Sequence, residues 1–381
     1  MNFPKPIQRN TVMALPYNRR DVLKFGAAFA AGLSISQPAL SKPEAKSTGP
    51  VRLFANENPY GPPESARKAM AAELERGSRY VLPNDFSKLT RLIADREGLA
   101  PENVVLGTGS GEVLTMAGAA FGIGGGEIVA AQPTFEMLPR YADRMGAKVI
   151  RVPLDAQFAH DLDAMKAKCG AATKLVYVCN PNNPTGTVLA ADRLAAFCEE
   201  VSKTATVFVD EAYLEYAEPK TTGSMVGLVK KGKNVIIART FSKLYGMAGM
   251  RIGYGLTTPD IAARLNSYRM TIPNRPGFFG AIAALQDTAF VERSRSLNTE
   301  IREKVRAELM KMNISSPVSH GNFIWARVGT EGRGLPASLA AHDVWITGGT
   351  ELLRDDYARI TIGTREEMDR FLAAMKTIAK R

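Results

Sequence analysis

Three kinds of residue that usually announce a site are scarce in this 381-residue chain. It has only three cysteines, Cys169, Cys179 and Cys198, in neither a C-x-x-C nor a zinc-ligand spacing. A thiol redox motif and a zinc framework are thereby excluded, and an odd, small cysteine count says nothing about an oxidising compartment. The three histidines, His160, His320 and His342, are scattered, which argues against a metal site built on them. Internal repeats and low-complexity tracts are lacking. The apolar run from Phe25 to about Ile35 is too short and too rich in Ala and Gly to span a bilayer, so no stable membrane insertion is expected. The formal net charge is +11, yet basic residues are not gathered into a block interleaved with aromatics. Residues 1–41 carry Lys5, Arg9, Arg19, Arg20 and Lys24 against Asp21, a net of +4, which leaves 11 − 4 = +7 spread over the remainder. A dispersed basic surface attracts anionic small molecules; it does not make a nucleic-acid footprint.

What is present begins with bulk. Apolar residues make up 45% and charged residues 23%, the balance of a soluble globular protein long enough for two domains or one large one. The front end, "YNRRDVLKFGAAFAAGLSISQPALSKPEAK", orders a basic region, a short apolar region and small residues near Ala39-Leu40-Ser41, the layout of a removable secretory signal. Its Arg19-Arg20-x-x-Leu-Lys order resembles a twin-arginine (Tat) export signal. Residues 1–41 are therefore expected to be a signal peptide, with a periplasmic or secreted destination and a cytoplasmic one as the alternative. Tat-type signals are associated with export of folded proteins, which suits an enzyme that acquires a cofactor before it leaves the cytoplasm.

From Val51 onward short β-rich runs alternate with helical stretches. "NVVLG" (103–107), "EIVAAQP" (127–133), "AKVIRVPL" (147–154), "TKLVYVCNP" (173–181), "TATVFVDEAY" (204–213) and "KNVIIARTFS" (233–242) read as strands, with helices near Met137–Met145 and Ala190–Ser202. Strands alternating with crossover helices imply an α/β fold around a mostly parallel, buried sheet. After "RMTIPNRPG" (269–277) the texture changes to one long helical pattern, about Gly277 to Lys311, followed by strands at "NFIWARV" (322–328) and "ARITIGT" (358–364) and a closing helix from Arg365. The expected division is a large domain over 79–275 and a smaller α+β domain from 276–381 together with an N-terminal arm, 42–78.

Four segments place chemistry at strand ends, where open α/β sheets keep their sites. "LGTGSGE" (106–112) runs from a strand through a Gly-rich turn into a helix start, offering free N–H groups and the Ser110 hydroxyl to an anion. "CNPNNPTG" (179–186) carries a strand into an Asn- and Pro-rich turn with Asn180 as the last residue expected to face the cleft. In "VFVDEAY" (207–213), Asp210 follows an apolar strand, and a carboxylate so placed needs a cation such as a protonated ring nitrogen. In "RTFSKLYGMAGMRIGYG" (239–255), Lys243 follows the hydroxyls of Thr240 and Ser242, and Arg251 adds a fixed charge able to grip phosphate. An anion-binding turn, a ring-facing acid, a ring-facing Asn and an activated lysine describe one ligand, a phosphorylated pyridine aldehyde held as a Schiff base.

These motifs, "NPNNPTG", "DEAY", "TFSKLYGMAGMRIGYG" and "RITIGT" in that order, resemble fold-type I pyridoxal-phosphate (PLP) aminotransferases. Within them the chain looks closest to the histidinol-phosphate aminotransferase family, which "ENPYGPP" (57–63) and "FAHDLDAM" (158–165) also fit. The resemblance implies a sheet of the seven-stranded type in the large domain and transfer of an amino group between an amino acid and a 2-oxo acid by a ping-pong mechanism. Lys243 would form the Schiff base and shuttle the proton. Asp210 would keep the pyridine nitrogen protonated, Asn180 and Tyr213 would bond the ring oxygen, and Phe135 would stack on the ring. Ser110, Gly111, Thr240, Ser242 and Arg251 would hold the phosphate. Tyr60 would reach that phosphate from a second subunit, implying a homodimer with shared sites. Arg359 would clamp a substrate carboxylate or phosphate, with Asn180 and Tyr60 beside it.

Two departures stand out. Gly111 occupies a place that is usually acidic in the family, and "VWITGGTELL" (344–353) puts Thr347 where a second substrate-phosphate arginine is expected. Losing such a charge-assisted partner costs about 1.5–3 kcal/mol, about tenfold or more in affinity, unless Arg333 or Arg354 substitutes. Thr347 and export together favour a non-phosphorylated amino acid as substrate. The alternatives are histidinol-phosphate aminotransferase proper, decarboxylation of a phosphorylated amino acid on the same scaffold, and a non-catalytic PLP-domain sensor.

Overall fold

The computed structural model describes residues 49–349 and 354–378; the signal assigned to residues 1–41 lies outside them. The strands among the described residues are β1 (Val51–Leu53), β2 (Val104–Gly107), β3 (Glu127–Gln132), β4 (Lys148–Pro153), β5 (Thr173–Cys179), β6 (Thr206–Asp210), β7 (Val235–Thr240), β8 (Gly253–Leu256), β9 (Phe323–Arg327), β10 (Val344–Ile346) and β11 (Tyr357–Thr361). Seven of them form one sheet in the order β2-β8-β7-β6-β5-β3-β4. It is parallel except for β8, which runs antiparallel to both β2 and β7. The mostly parallel, seven-stranded α/β architecture is the one the sequence implies.

The central strands read as unbroken apolar runs because both faces are covered. Val176, Val178, Val207, Val209, Val235 and Ile237 join one core. The alternate residues Leu175, Tyr177, Phe208, Ile236 and Ala238 join another on the opposite face. A third core combines Val51 and Leu53 with Ile324, Val344, Ile360 and Phe371. It is built on two small sheets, β1 paired in parallel with β10 and β9 antiparallel to β11.

Two elements differ from expectation. The long pattern over Gly277–Lys311 is two helices, Arg275–Gln286 and Thr288–Lys311, broken at Asp287. The Asp287 side chain accepts from the Phe290 N–H and caps the second helix. An apolar periodicity that runs on through the break conceals the cap. The second difference is β8, whose Gly253 and Gly255 hide it among turn residues. The glycine at 253 is required by space, since a Cβ there would run into the backbone of Gly109 and Ser110.

Because β5, β6 and β7 are parallel neighbours, their C-terminal ends deliver Cys179, Asp210 and Thr240 to one edge of the sheet. The turn after β5 is held from behind by Asn182. Its side chain accepts from Thr134 Oγ1 at 2.8 Å, donates to Pro133 O at 3.2 Å, and lies 3.2 Å from Nε2 of the buried His160. Burial pushes the His160 imidazole down to about 4, so it stays neutral at ordinary pH and packs as a structural group under the turn.

Candidate active site

A cavity of about 270 Å³ opens at that sheet edge. It brings together ten of the residues singled out from the sequence: Ser110, Gly111, Phe135, Asp210, Tyr213, Thr240, Ser242, Lys243, Arg251 and Arg359. They come from positions 110 to 359, so only the folded sheet makes them neighbours.

Asp210 is buried, 2% exposed. Its Oδ1 accepts from the Ala212 N–H and its Oδ2 from the Tyr177 hydroxyl, each at 3.2 Å. Burial pushes the carboxyl up to about 6, while those donors and the Lys243 charge pull the other way. A carboxylate so placed favours a cation from the cavity side. Lys243 Nζ donates to Ala55 O at 3.0 Å and sits 5.7 Å from the Tyr213 ring centroid. Burial, and then the like charge of Arg359, bring the amine down to about 8. A useful fraction is therefore neutral, and nucleophilic, near neutral pH. The Tyr213 hydroxyl accepts from Asn56 Nδ2 at 2.9 Å, and burial raises its phenol above the ordinary range.

One end of the cavity is shaped for an anion. The helix Ser110–Gly122 begins there with no side chain capping its first N–H groups, so its amides and dipole face the cavity. Gly109 has φ +77°, and a Cβ on it would strike the Arg251 guanidinium. Arg251, itself at φ +55°, donates to Ser242 Oγ at 3.2 Å and Ala248 O at 2.9 Å. A Cβ on Gly111 would lie 3.0 Å from Met137 Sδ, a contact that a small shift of that flexible side chain relieves. Thr240 and Ser242 complete this end.

The other end is Arg359. Its Nη1 donates to Asn183 Oδ1 at 2.8 Å, and its Nη2 donates to Phe54 O at 2.6 Å and reaches Thr347 Oγ1 at 3.3 Å. Its Nε is buried without a partner. Among the described residues no carboxylate pairs with this guanidinium, and burial lowers its affinity for its proton. A buried cation held by neutral acceptors, with a donor to spare, is a receptor for an anion. Thr347 lies opposite Arg359 across a backbone bridge, its hydroxyl donating to Phe54 O at 2.8 Å. Arg333 and Arg354 do not replace the missing arginine, since neither lines the cavity. Arg333 pairs with Asp355 and Arg354 with Asp356 at exposed positions.

One expectation needs correction. Asn180 does not face the cavity. Its Oδ1 accepts from the Leu189 N–H and its Nδ2 donates to Thr222 Oγ1, both at 2.9 Å. The strand alternation explains why: Cys179, paired in register with Asp210, takes the cavity side, so the next residue turns away. Asn183, three positions on, lines the cavity instead and carries the bond to Arg359. Tyr60, expected to act in a second subunit's site, packs against the third core and does not line its own chain's cavity. The residues missed from sequence are Asn183, Ala55, Asn56, Glu57 and Cys179. Alternation from Asp210 would have found Cys179; the backbone acceptor at Ala55 leaves no signal in a sequence.

The family pattern for aminotransferase class I and II matches residues 48–375. A protein from Nitrosospira multiformis named histidinol-phosphate aminotransferase 2 is 37% identical over 326 residues, covering 85% of this chain and 83% of that one. Its namesake from Ralstonia nicotianae is 37% identical over 331 residues, covering 86% and 88%. Among solved structures, the histidinol-phosphate aminotransferase from Sinorhizobium meliloti in complex with pyridoxal-5'-phosphate is 28% identical. It superposes with a TM-score of 0.81 over 87% of this chain and 91% of that one. A putative histidinol-phosphate aminotransferase from Erwinia carotovora atroseptica, also 28% identical, gives 0.83 over 87% and 96%.

The depressed Lys243 amine predicts its reactivity. In the cofactor-free protein, capture of a simple aldehyde at Lys243 rises with pH to half its maximum near pH 8, well below ordinary lysines. Arg359→Ala moves that midpoint upward by removing a like charge. Peptide mapping after borohydride reduction, across a pH series, reads both; a midpoint near 10 contradicts the assignment.

Proposed function

Since the chain belongs to the class I and II aminotransferases, we propose that its amino donor is a free, non-phosphorylated amino acid gripped by its carboxylate at Arg359. The enzyme is a PLP-dependent transaminase, and its residues fit that cofactor. Arg251, Ser242, Thr240 and the helix start at Ser110 suit the phosphate, Asp210 the pyridinium nitrogen, Phe135 a ring face, and Asn183 with Tyr213 the ring oxygen. Lys243 is the amine that suits the aldehyde. Bound there, the cofactor supplies an electron-withdrawing ring that makes the donor's Cα–H acidic.

The chain's own groups do the rest. Arg359 fixes the donor by its carboxylate, so that the Cα–H is presented to Lys243. Lys243, neutral over part of the physiological range, takes the Cα proton and returns it at the cofactor's C4′. Asp210 holds positive charge at the ring nitrogen throughout. Addition of one water would release the 2-oxo acid and leave its amino group with the cofactor, and a second 2-oxo acid would take up that group, with loss of water, by the reverse of these steps.

The observation that carries the substrate assignment is the Arg359 end: one buried guanidinium, with the neutral Thr347 beside it, and among the described residues no arginine lining the cavity other than Arg251 at the anion-shaped end. One planar cation matches a carboxylate; a phosphate ester dianion wants more. The names of the relatives favour histidinol phosphate as the competing donor. Mixing enzyme with a panel of donors and following loss of the lysine-bound cofactor's absorbance separates the two. Free amino acids convert the enzyme, releasing 2-oxo acid and no carbon dioxide, and histidinol phosphate is poor. Arg359→Ala costs on the order of a hundredfold in kcat/KM, the loss of a charged bond, and Thr347→Arg improves histidinol phosphate. Turnover of histidinol phosphate far above every free amino acid refutes the assignment.

Two further features belong to this reading. The Arg19-Arg20 segment supports export to the periplasm; replacing both with lysine should leave the enzyme in the cytoplasmic fraction, and unchanged fractionation contradicts it. A homodimer with shared sites is supported by Tyr60, which lies outside its own cavity, and by the exposed apolar residues Tyr80, at 84%, and Met270, at 83%. Sedimentation should give twice the chain mass, and mixing Tyr60→Ala with Lys243→Ala should restore activity that neither variant has alone. A monomer, or no complementation, rejects sharing.

A further inference from the structure

The acid that meets the cofactor's ring nitrogen is itself held by a group outside the cavity. Tyr177 lies on β5 with no solvent exposure, its ring 5.9 Å from that of Phe208 and surrounded by the apolar side chains of the second core. Tyr177 pairs in register with Phe208, and Cys179, two residues on, with Asp210, so all four project from one face of the sheet. The phenol therefore arrives beside Asp210 by register alone, and donates to Oδ2 at 3.2 Å. Packing does not require the hydroxyl, because phenylalanine would fill the same apolar space. A phenol taken out of water at this depth is unfavourable unless its bond is worth having.

We infer that Tyr177 is a positioning residue for the transamination centre, orienting Asp210 and keeping it anionic so that it selects a protonated ring nitrogen. The inference rests on the reading that Asp210 faces that nitrogen. With Ala212 N–H on Oδ1 and Tyr177 on Oδ2, each carboxylate oxygen has one donor from the chain. Each keeps acceptor capacity for the cavity. Two donors on different oxygens also fix the plane of the carboxylate. Removing the phenol frees the group to turn and removes one of the few interactions that oppose its protonation, both of which weaken its hold on a pyridinium. Burial keeps the phenol itself far above its ordinary pKa, so it remains a donor at any pH the enzyme meets.

The test is equilibrium binding to cofactor-free enzyme of two ligands: PLP, and its analogue with carbon in place of the ring nitrogen. Both carry the aldehyde and the phosphate. Tyr177→Phe should weaken PLP about tenfold, as for loss of a bond to a charged group, and leave the carbon analogue unchanged. In an Asp210→Asn background the same substitution should have no such selective effect. Equal losses for both ligands would mark Tyr177 as a packing residue and overturn the inference, as would unchanged affinity for PLP. If the wild-type enzyme fails to prefer PLP over the analogue, the reading of Asp210 falls first and takes this one with it.

Discussion

A carboxylate buried at the end of a parallel strand is the constraint around which the rest of the site is arranged. Asp210 cannot be satisfied by its own chain. Two donors meet it from the protein, yet burial still lifts it to about 6, and Lys243, whose charge opposes that shift, donates to Ala55 O. The fold thus holds a charge it has not neutralised, at the bottom of a cavity open to a ligand. On the proposed reading a pyridinium nitrogen would complete it, and the same charge would keep that nitrogen protonated. The cost is structural and the return is chemical.

The cations follow a similar logic. Lys243, Arg251 and Arg359 line one small cavity against Asp210 and Glu57, so the cofactor-free site is short of negative charge. Two anions would answer the two arginines, a cofactor phosphate at Arg251 and a substrate carboxylate at Arg359. Burial, and after it the repulsion from Arg359 that remains before they bind, lowers Lys243 and so prepares the amine for its work. Specificity and reactivity therefore share a cause. The arginine proposed to hold the substrate carboxylate also helps lower the lysine proposed to move its proton.

Much of this was legible in the sequence because parallel sheets buried on both faces give long apolar runs, and because their chemistry is confined to the residues just after them. Lys243, Asp210 and Arg251 stand out for that reason. Asn180 misled because a turn with asparagines at 180, 182 and 183 leaves the cavity-facing one ambiguous until the alternation is counted from Cys179. The helix break at Asp287 was hidden by apolar periodicity on both sides of it, and β8 by glycines whose purpose is clearance from the turn at Gly109 and Ser110. Tyr177 looked like any core residue. Its hydroxyl acquires meaning only from the register of β5 on β6.

The measurement that bears most directly on Asp210 is the pH dependence of stability in the cofactor-free enzyme, compared with Asp210→Asn. A carboxyl whose folded pKa is raised from 3.8 to about 6 binds a proton in the folded state that the unfolded chain has already released. Its contribution is therefore intact below pH 4 and lost as pH rises through 6. The difference between wild type and variant should grow over that window by on the order of 3 kcal/mol, and saturation with PLP should abolish it. A pH-independent difference, or one that PLP leaves intact, would mean that Asp210 is not the buried charge the cofactor completes.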